Sequence, residues 1–277
     1  MLLYYLYLAQ PNSNNMKLKS LLFISSIFIL FSGASVFGQQ TDSEPKNMVK
    51  LNVLPLISGK FAFEYERMIK DRITVGGAVS FRPSKGLPFL STVRDIVDND
   101  DLNEFLDGFK SGNFSITPEA RFYTSKRGPF RGFYVAPYLK YTNYSLRAPL
   151  NYDLELTAGG QTFKESGSIP VKGSLNAYTA GFSIGFNFRL TDNLNLDWRL
   201  IGPGYGFAKG SLGGQKKLTA DEQEQIRKEL DDIKDALSDL PVSVKMKYEV
   251  HGEGVDVKVS NSPWAGIRSG LSVGYRF

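Results

Sequence analysis

The chain has 277 residues, a formal net charge of +5 and no cysteine, which excludes disulfides, thiolate metal sites, cysteine nucleophiles and a lipid anchor on cysteine. Its basic residues are scattered and mostly alternate with apolar ones, so no positively charged stripe predicts nucleic-acid binding. Beyond residue 38 no apolar run approaches about 18 residues, which excludes an α-helical membrane protein.

The N-terminal region has the pattern of a secretory signal peptide. Lys17 and Lys19 precede an uncharged apolar run at residues 21–31, and small residues follow, as signal peptides require. Cleavage before Gln39 fits this pattern. The expected division is an upstream extension and signal peptide at residues 1–38, a short periplasmic segment at residues 39–48, and one folded domain at residues 49–277.

Strict alternation of apolar and polar residues dominates the folded domain. In the clearest run, from Tyr178 to Arg189, every second side chain is apolar, which predicts a strand with one apolar face. Pro118 and Pro137 lie inside two such strands without a ladder donor, so we expect bulges there. The eight strands predicted by this pattern lie near residues 50–56, 61–66, 73–81, 114–122, 133–142, 178–188, 194–200 and 264–277.

The connections between these strands alternate in length. Brief turns are expected at residues 69–71, 124–131 and 190–193, whereas residues 82–113 and 210–263 are long loops and residues 148–172 form a loop of intermediate to long length. Transmembrane barrels have short periplasmic turns and long outer loops, with both termini inside, and eight strands satisfy this parity. We therefore predict an all-β fold, an eight-stranded antiparallel transmembrane β-barrel. A soluble barrel or sandwich is the alternative, but the aromatic-rich apolar face argues against it.

The outer loops are predicted to carry one or two amphipathic helices. Residues Thr219 to Glu222 form a capping box, and apolar residues follow at helical spacing until Pro241, which predicts a helix. A second apolar series at residues 88–110 suggests further helical turns. Alternation also continues into residues 148–175 and 242–259, so a sheet can project beyond the membrane. These loops cover one another or the barrel mouth, or contact an extracellular partner.

The inward face is predicted to carry charges of both signs. An eight-stranded barrel is only wide enough for side chains to fill its interior, and an unpaired buried charge is costly. We therefore expect a paired network rather than an ion path, with Lys60 on the same face. The predicted network consists of Glu64, Glu66, Glu119, Arg121, Lys140, Arg189, Asp197, Arg199 and Arg276.

The last strand resembles the closing strand of bacterial outer-membrane β-barrels. Leu271, Val273, Tyr275 and Phe277 place apolar side chains on one face, and the chain ends on an aromatic residue. In those barrels the terminal aromatic strand is the signal that the barrel-assembly machinery reads. The resemblance therefore implies that these four residues form an assembly signal.

The segment Leu54–Arg67, followed by Ile73–Gly77, is similar to the opening of a family of small outer-membrane barrels from Bacteroidetes-type Gram-negative bacteria. These are OmpA/OmpX-like eight-stranded barrels of undefined function. The resemblance runs from about Val49 to Phe277. It implies the fold, a location in the cell outer membrane, and outer-membrane lipid as a partner, but no activity.

Chemistry-bearing residues are scarce. His251 is the only histidine, and Ser243, Glu249 and Glu253 share its alternating face, so this is the one candidate site for lipid-modifying chemistry. The acidic run Asp98–Asp101 departs from a calcium-binding EF-hand loop. We predict no catalytic residue, no metal site and no cofactor.

The sequence as a whole favours a non-enzymatic outer-membrane barrel with a structural or surface-interaction role. One alternative is a small channel or a binder of hydrophobic molecules. Another is a lipid-modifying outer-membrane enzyme that uses His251. Nucleic acid is not an expected partner.

Overall fold

The computed structural model describes residues 45–86, 108–126, 128–158, 161–238 and 245–277. Within these, Pro45–Phe277 forms one compact unit. The predicted signal peptide, the acidic run Asp98–Asp101 and, of the predicted helical turns at residues 88–110, all but the last three residues lie outside the described residues.

The described residues form nine strands, a short 3-10 helix and one α-helix. The strands are β1 (Asn47–Asn52), β2 (Phe61–Lys70), β3 (Ile73–Lys85), β4 (Lys110–Tyr123), β5 (Gly132–Ala158), β6 (Gln161–Arg189), β7 (Leu194–Gln215), β8 (Met246–His251) and β9 (Gly254–Arg276). The 3-10 helix, Leu54–Ser58, follows β1, and the α-helix α1, Ala220–Ser238, follows β7. No helix in the described part of the chain is both long and apolar enough to cross a membrane.

Eight of the strands close into an antiparallel barrel, as the sequence predicts. Neighbours in the chain pair in order from β1 to β7, β7 pairs with β9, and β9 returns to β1. The closing ladder aligns Val49 with Tyr275, and the backbone groups of Asn47 and Phe277 bond each other in both directions. The ninth strand, β8, pairs only with β9 and lies outside the ring.

The barrel has polar side chains inside and apolar side chains outside, which is the reverse of the distribution in a soluble protein. Arg121 is 1% exposed and Asp197 is 2% exposed, whereas Phe182 is 57% exposed and Trp198 is 50% exposed. This follows directly from the alternation, because successive side chains of a strand point to opposite faces. The exterior is therefore apolar and the interior is polar.

The strands of one half of the barrel are far longer than predicted. Pairing between β4 and β5 ends at Arg147, but β5 and β6 continue together to Ala158 and Gln161. Residues 148–172 are thus a hairpin extension rather than a loop, as the alternation there allowed, and β9 begins at Gly254 rather than at Trp264. A sheet of five strands therefore extends past the other four strands; its order is β5, β6, β7, β9 and β8.

The predicted bulges at Pro118 and Pro137 are wrong. The β4–β5 ladder passes from Ile116 to Glu119 with no change in register, and Pro137 pairs in register with Phe182. The missing proline donor interrupts pairing locally instead of inserting a residue. A register shift does occur in β9 at Asn261. Along the ladder from Ala208 to Gly210 of β7, the paired segment of β9 is longer by one residue. Asn261 itself has a positive φ of 40°.

The extended sheet and α1 form a small outer lobe with its own apolar core. Ile226 and Leu230 of α1 are buried against Tyr152, Ile169 and Val250 of the sheet. The helix contacts β5 and β8, which are the two edges of the extension. The helix therefore spans the gap between these two edges of the extended sheet. The full core consists of Tyr152, Ile169, Val171, Leu218, Ile226, Leu230, Val250 and Val255.

Candidate functional site

The barrel interior is centred on a network of buried charges. Lys50 of β1 lies 2.6 Å from Glu66 and 2.7 Å from Asp197, and Arg121 ion-pairs with Asp197 and, at 3.1 Å, with Glu64. Every one of these side chains is less than 5% exposed. Because such charges are costly to leave unpaired, the mutual pairing is what allows them to occupy the interior.

Two further arginines complete the network on the outer side. Arg199 lies 3.0 Å from Glu64 and 3.0 Å from Glu119, and Arg268 lies 3.1 Å from Glu119. Among the described residues, four cations thus face four carboxylates. The members of this lumen network are Lys50, Arg121, Arg199, Arg268, Glu64, Glu66, Glu119 and Asp197.

Neutral donors satisfy the remaining carboxylate oxygens. The hydroxyls of Tyr123 and Thr74 donate to Glu66 at 2.7 and 2.6 Å, and the Tyr134 hydroxyl donates to Asp197 at 2.8 Å. Tyr134 has room because residue 185 is glycine: a Cβ there would lie 2.5 Å from the tyrosine hydroxyl. Arg121 also stacks over the Tyr134 ring, 4.4 Å from its centroid. The lumen is filled by fixed, hydrogen-bonded side chains.

Three predicted members of the network lie elsewhere. Arg189 pairs with Asp192 at 3.1 Å, and Arg276 donates to the backbone carbonyls of Thr191 and Asp192. Both arginines therefore brace the β6–β7 turn. Lys140 has no ion pair with any described carboxylate. Alternation gives the face of a residue but not its height in the barrel, which is why these three were misassigned.

Lys50 and Arg268 were missing from the predicted network. Lys50 lies in a six-residue strand, which is too short for its alternation to be distinctive. Arg268 lies in the part of β9 where apolar and polar residues do not alternate cleanly. The predicted network already had five cations for four carboxylates, so a count of charges gave no signal for Lys50.

The predicted assembly signal lies on the outer face of β9. Val273, Tyr275 and Phe277 are 45%, 50% and 55% exposed, and Leu271 is partly buried. Their side chains are therefore available to lipid or to another protein. Recognition by the assembly machinery stays a prediction.

His251 lies at the turn between β8 and β9. Its Nε2 is 3.3 Å from a carboxylate oxygen of Asp256, and both side chains are exposed. The Glu253 backbone N–H donates to Nδ1 at 3.3 Å, while Glu249 is exposed on the same strand, β8. Ser243 lies outside the described residues.

The outer lobe has a polar cluster at the start of α1. Thr219 and Glu222 form the predicted capping box, with the Thr219 N–H donating to Glu222 at 2.8 Å and the Glu222 N–H donating to the Thr219 hydroxyl at 3.3 Å. The Tyr152 hydroxyl of β5 donates to Glu222 at 2.5 Å, and Lys216 donates to that hydroxyl. This cluster fastens α1 to the sheet.

Hydrogen bonds from Tyr152 and Thr219 lower the pKa of Glu222 to about 2, from an ordinary 4.5. A second tie lies at the other sheet edge, where Arg227 donates to the Val250 carbonyl at 3.1 Å. A hydrogen bond to Asp231, together with burial, raises the pKa of the neighbouring Tyr248 to about 12. The lobe is therefore held to both edges of the sheet by polar contacts around its apolar core.

We predict that Lys50→Met destabilises the barrel by about 3–5 kcal/mol, because it leaves Asp197 and Glu66 short of a buried cation. The matched control is Lys60→Met, since no described carboxylate pairs with Lys60; it should leave stability nearly unchanged. Urea unfolding of the purified protein measures both. Equal effects of the two changes would contradict the network.

We also predict that α1 loosens from the sheet in acid. Because the pKa of Glu222 is lower in the fold than its ordinary 4.5, its contribution is complete above pH 4.5 and is lost as the pH falls toward 2. Hydrogen exchange of α1 amides should accelerate, beyond the intrinsic rate, over this window. Glu222→Gln should flatten the dependence, and Glu224→Gln, at an exposed position, should not.

Comparison with known proteins identifies a family. No curated protein matches the chain. The crystal structure of Acinetobacter baumannii CarO2 is similar at 13% identity, with 84% of this chain and 99% of that chain covered and a TM-score of 0.39. The N-terminal β-barrel domain of Pseudomonas aeruginosa OprF is similar at 9% identity, with 84% and 98% covered and a TM-score of 0.24. A family model described as "Protein of unknown function (DUF3575)" matches residues 24–230, so the chain belongs to the DUF3575 family.

Proposed function

We propose that this protein is an integral β-barrel of the bacterial outer membrane with a structural or surface-interaction role and no catalytic activity. The observation that carries the proposal is the reversed side-chain distribution, with aromatic residues outside and paired charges inside. In water, such an exterior would be a large exposed apolar patch. In a bilayer, it is the lipid-facing surface of a closed barrel, whose backbone groups are bonded internally.

The interior supports a role other than conduction. The lumen network joins β1, β2, β4, β7 and β9 through the barrel interior, and its own four cations and four carboxylates are mutually paired. Beyond it, Leu175, Ala177 and Ala208 form an apolar cluster, and the core under α1 follows. A path for ions needs continuous water or polar lining, whereas these two clusters line part of the interior with apolar side chains.

The outer lobe supports a surface-interaction role. The sequence of α1 contains seven acidic and three basic residues, and its outward side is exposed along most of its length. The lobe is fastened at both sheet edges, so it presents this charged face in a fixed orientation. Such a face suits a basic region of an extracellular macromolecule.

The surroundings of His251 support a role without catalysis. Its only described side-chain partner, Asp256, is itself exposed, and the hairpin turn around it forms no enclosed site. Acid–base or nucleophilic catalysis depends on a partner held in a fixed geometry and sheltered from water.

Membrane location predicts the effect of a charge on the outer face of β6. Phe182 lies midway along the apolar face of this strand, so Phe182→Arg should destabilise the barrel in lipid vesicles by about 2–4 kcal/mol. The control is Ser211→Arg, at an exposed strand position in the outer lobe, which should have little effect. Urea titration in vesicles measures both. A water-exposed barrel would tolerate both changes equally.

Closure of the lumen predicts that the purified protein gives no discrete conductance steps in a planar bilayer. The variant with Glu64, Glu119, Arg121 and Arg199 all changed to Ala should leak or lose its fold, because it removes half of the lumen network. Stable, ion-selective steps from the unmodified protein would replace the structural role with that of a channel.

A further inference from the structure

One side of β9 lacks a neighbouring strand over part of its length. Strands β1 and β8 both lie on this side: β1 pairs with β9 as far as Ser272, and β8 pairs with it from Val259 onward. Between these points, residues 261–270 have no strand partner on this side of β9 among the described residues, although β9 pairs with β7 on its other side. We call this gap the β9 window. Ile267, in its middle, is 74% exposed.

Backbone donors in the window point into the gap. Leu271 accepts the last β1 bond, from Val53 at 2.8 Å, and in an antiparallel ladder alternate residues face the same neighbour. Pro263, further along β9, has the same orientation but no N–H. The residues whose N–H and C=O groups face the gap are therefore Ala265, Ile267 and Ser269.

Cations without described counter-charges lie behind the window. Arg268 lies within electrostatic range of Lys60 and Lys140, and Arg82 lies within range of Lys60. Neither Lys60 nor Lys140 forms an ion pair with a carboxylate in the described ranges. The described acceptors of Arg82 are all neutral, among them the carbonyls of Ser58 and Gly86. Among the residues that the structure describes, the outer part of the lumen thus has an excess of positive charge.

The window also has space and an apolar rim. No atom lies within 4 Å of where a side chain at Gly266 would begin, although this residue is on the inward face of β9. Ile57 and Leu54 of the 3-10 helix, which contacts β9, are 71% and 44% exposed. With Ile267 they form a hydrophobic border around a polar opening.

We propose that the β9 window binds the phosphate group of an anionic membrane lipid, and this rests on the proposed location in a membrane. Lys60, Lys140 and the free amides supply donors for phosphate oxygens, while Ile57 and Ile267 contact the acyl chains. Hydrocarbon does not tolerate an uncovered sheet edge, so the window needs an occupant at this depth. The excess of cations makes that occupant anionic.

A strand from a second copy of this chain fits the window less well. Only three residues offer unpaired donors, whereas strands usually pair over about five or six residues. Pro263 limits the edge on the outer side and β1 limits it on the inner side. Strand addition would also leave the cations behind the window without counter-charges.

Native mass spectrometry of the detergent-purified protein tests the proposal with three probes: phosphatidylglycerol, phosphatidylcholine of the same chain lengths, and inorganic phosphate. We expect selective retention of phosphatidylglycerol and weakening of that binding by about tenfold or more in Lys60→Gln/Lys140→Gln, which removes two charged donors. The matched control, Lys209→Gln/Lys258→Gln, changes two exposed lysines outside the window and should bind normally.

A second variant keeps the charges. Gly266→Phe fills the open space and should also reduce phosphatidylglycerol binding, with folding of every variant checked by heat-modifiable gel migration. Equal retention of the two lipids, binding of inorganic phosphate without the lipid, or a dimer that excludes lipid would each overturn the proposal. The Phe182→Arg experiment tests membrane location separately. If the β9 window does not bind lipid, the result of that experiment still stands.

Discussion

Charge pairing inside a barrel filled by side chains is the constraint on which this structure depends. A carboxylate at Glu64 or Asp197 is tolerable only if a cation reaches it, and the cations come from strands distant in sequence: β1, β4, β7 and β9. Ion pairs such as Lys50–Asp197 and Arg199–Glu64 therefore link strands that are not neighbours, as well as filling the barrel. Neighbouring strands are joined by backbone ladders, and the lumen network adds connections between opposite walls. The barrel is thus braced through its centre.

The alternation of apolar and polar residues was enough to predict the closed eight-stranded barrel, because strand period and barrel parity act on long stretches of chain. Phe182 and its neighbours show their outward orientation in sequence alone. The match to a family of undefined function confirms the resemblance, over residues 24–230. The capping box at Thr219 likewise predicted the start of α1, since its chemistry is local.

The sequence could not predict the composition of the lumen network. Arg189 and Arg276 share the inward parity of Arg199, but strand tilt and stagger place them beside the β6–β7 turn. Lys50 lies in a strand too short to show a period. The length of β9 was also missed, because Asn261 interrupts its alternation and Pro263 follows directly. These are properties of register and depth, which depend on partners elsewhere in the chain.

The extra residue at Asn261 has a consequence for how the two parts of the molecule are specified. Below it, even-numbered residues of β9 such as Ser272 face the lumen; above it, odd-numbered residues such as Val255 face the core of the outer lobe. The bulge therefore changes which residues of β9 face inward, from even-numbered to odd-numbered ones. Each part can therefore keep its own pattern of side chains, and the outer lobe can vary in sequence without disturbing the inward residues of the barrel below.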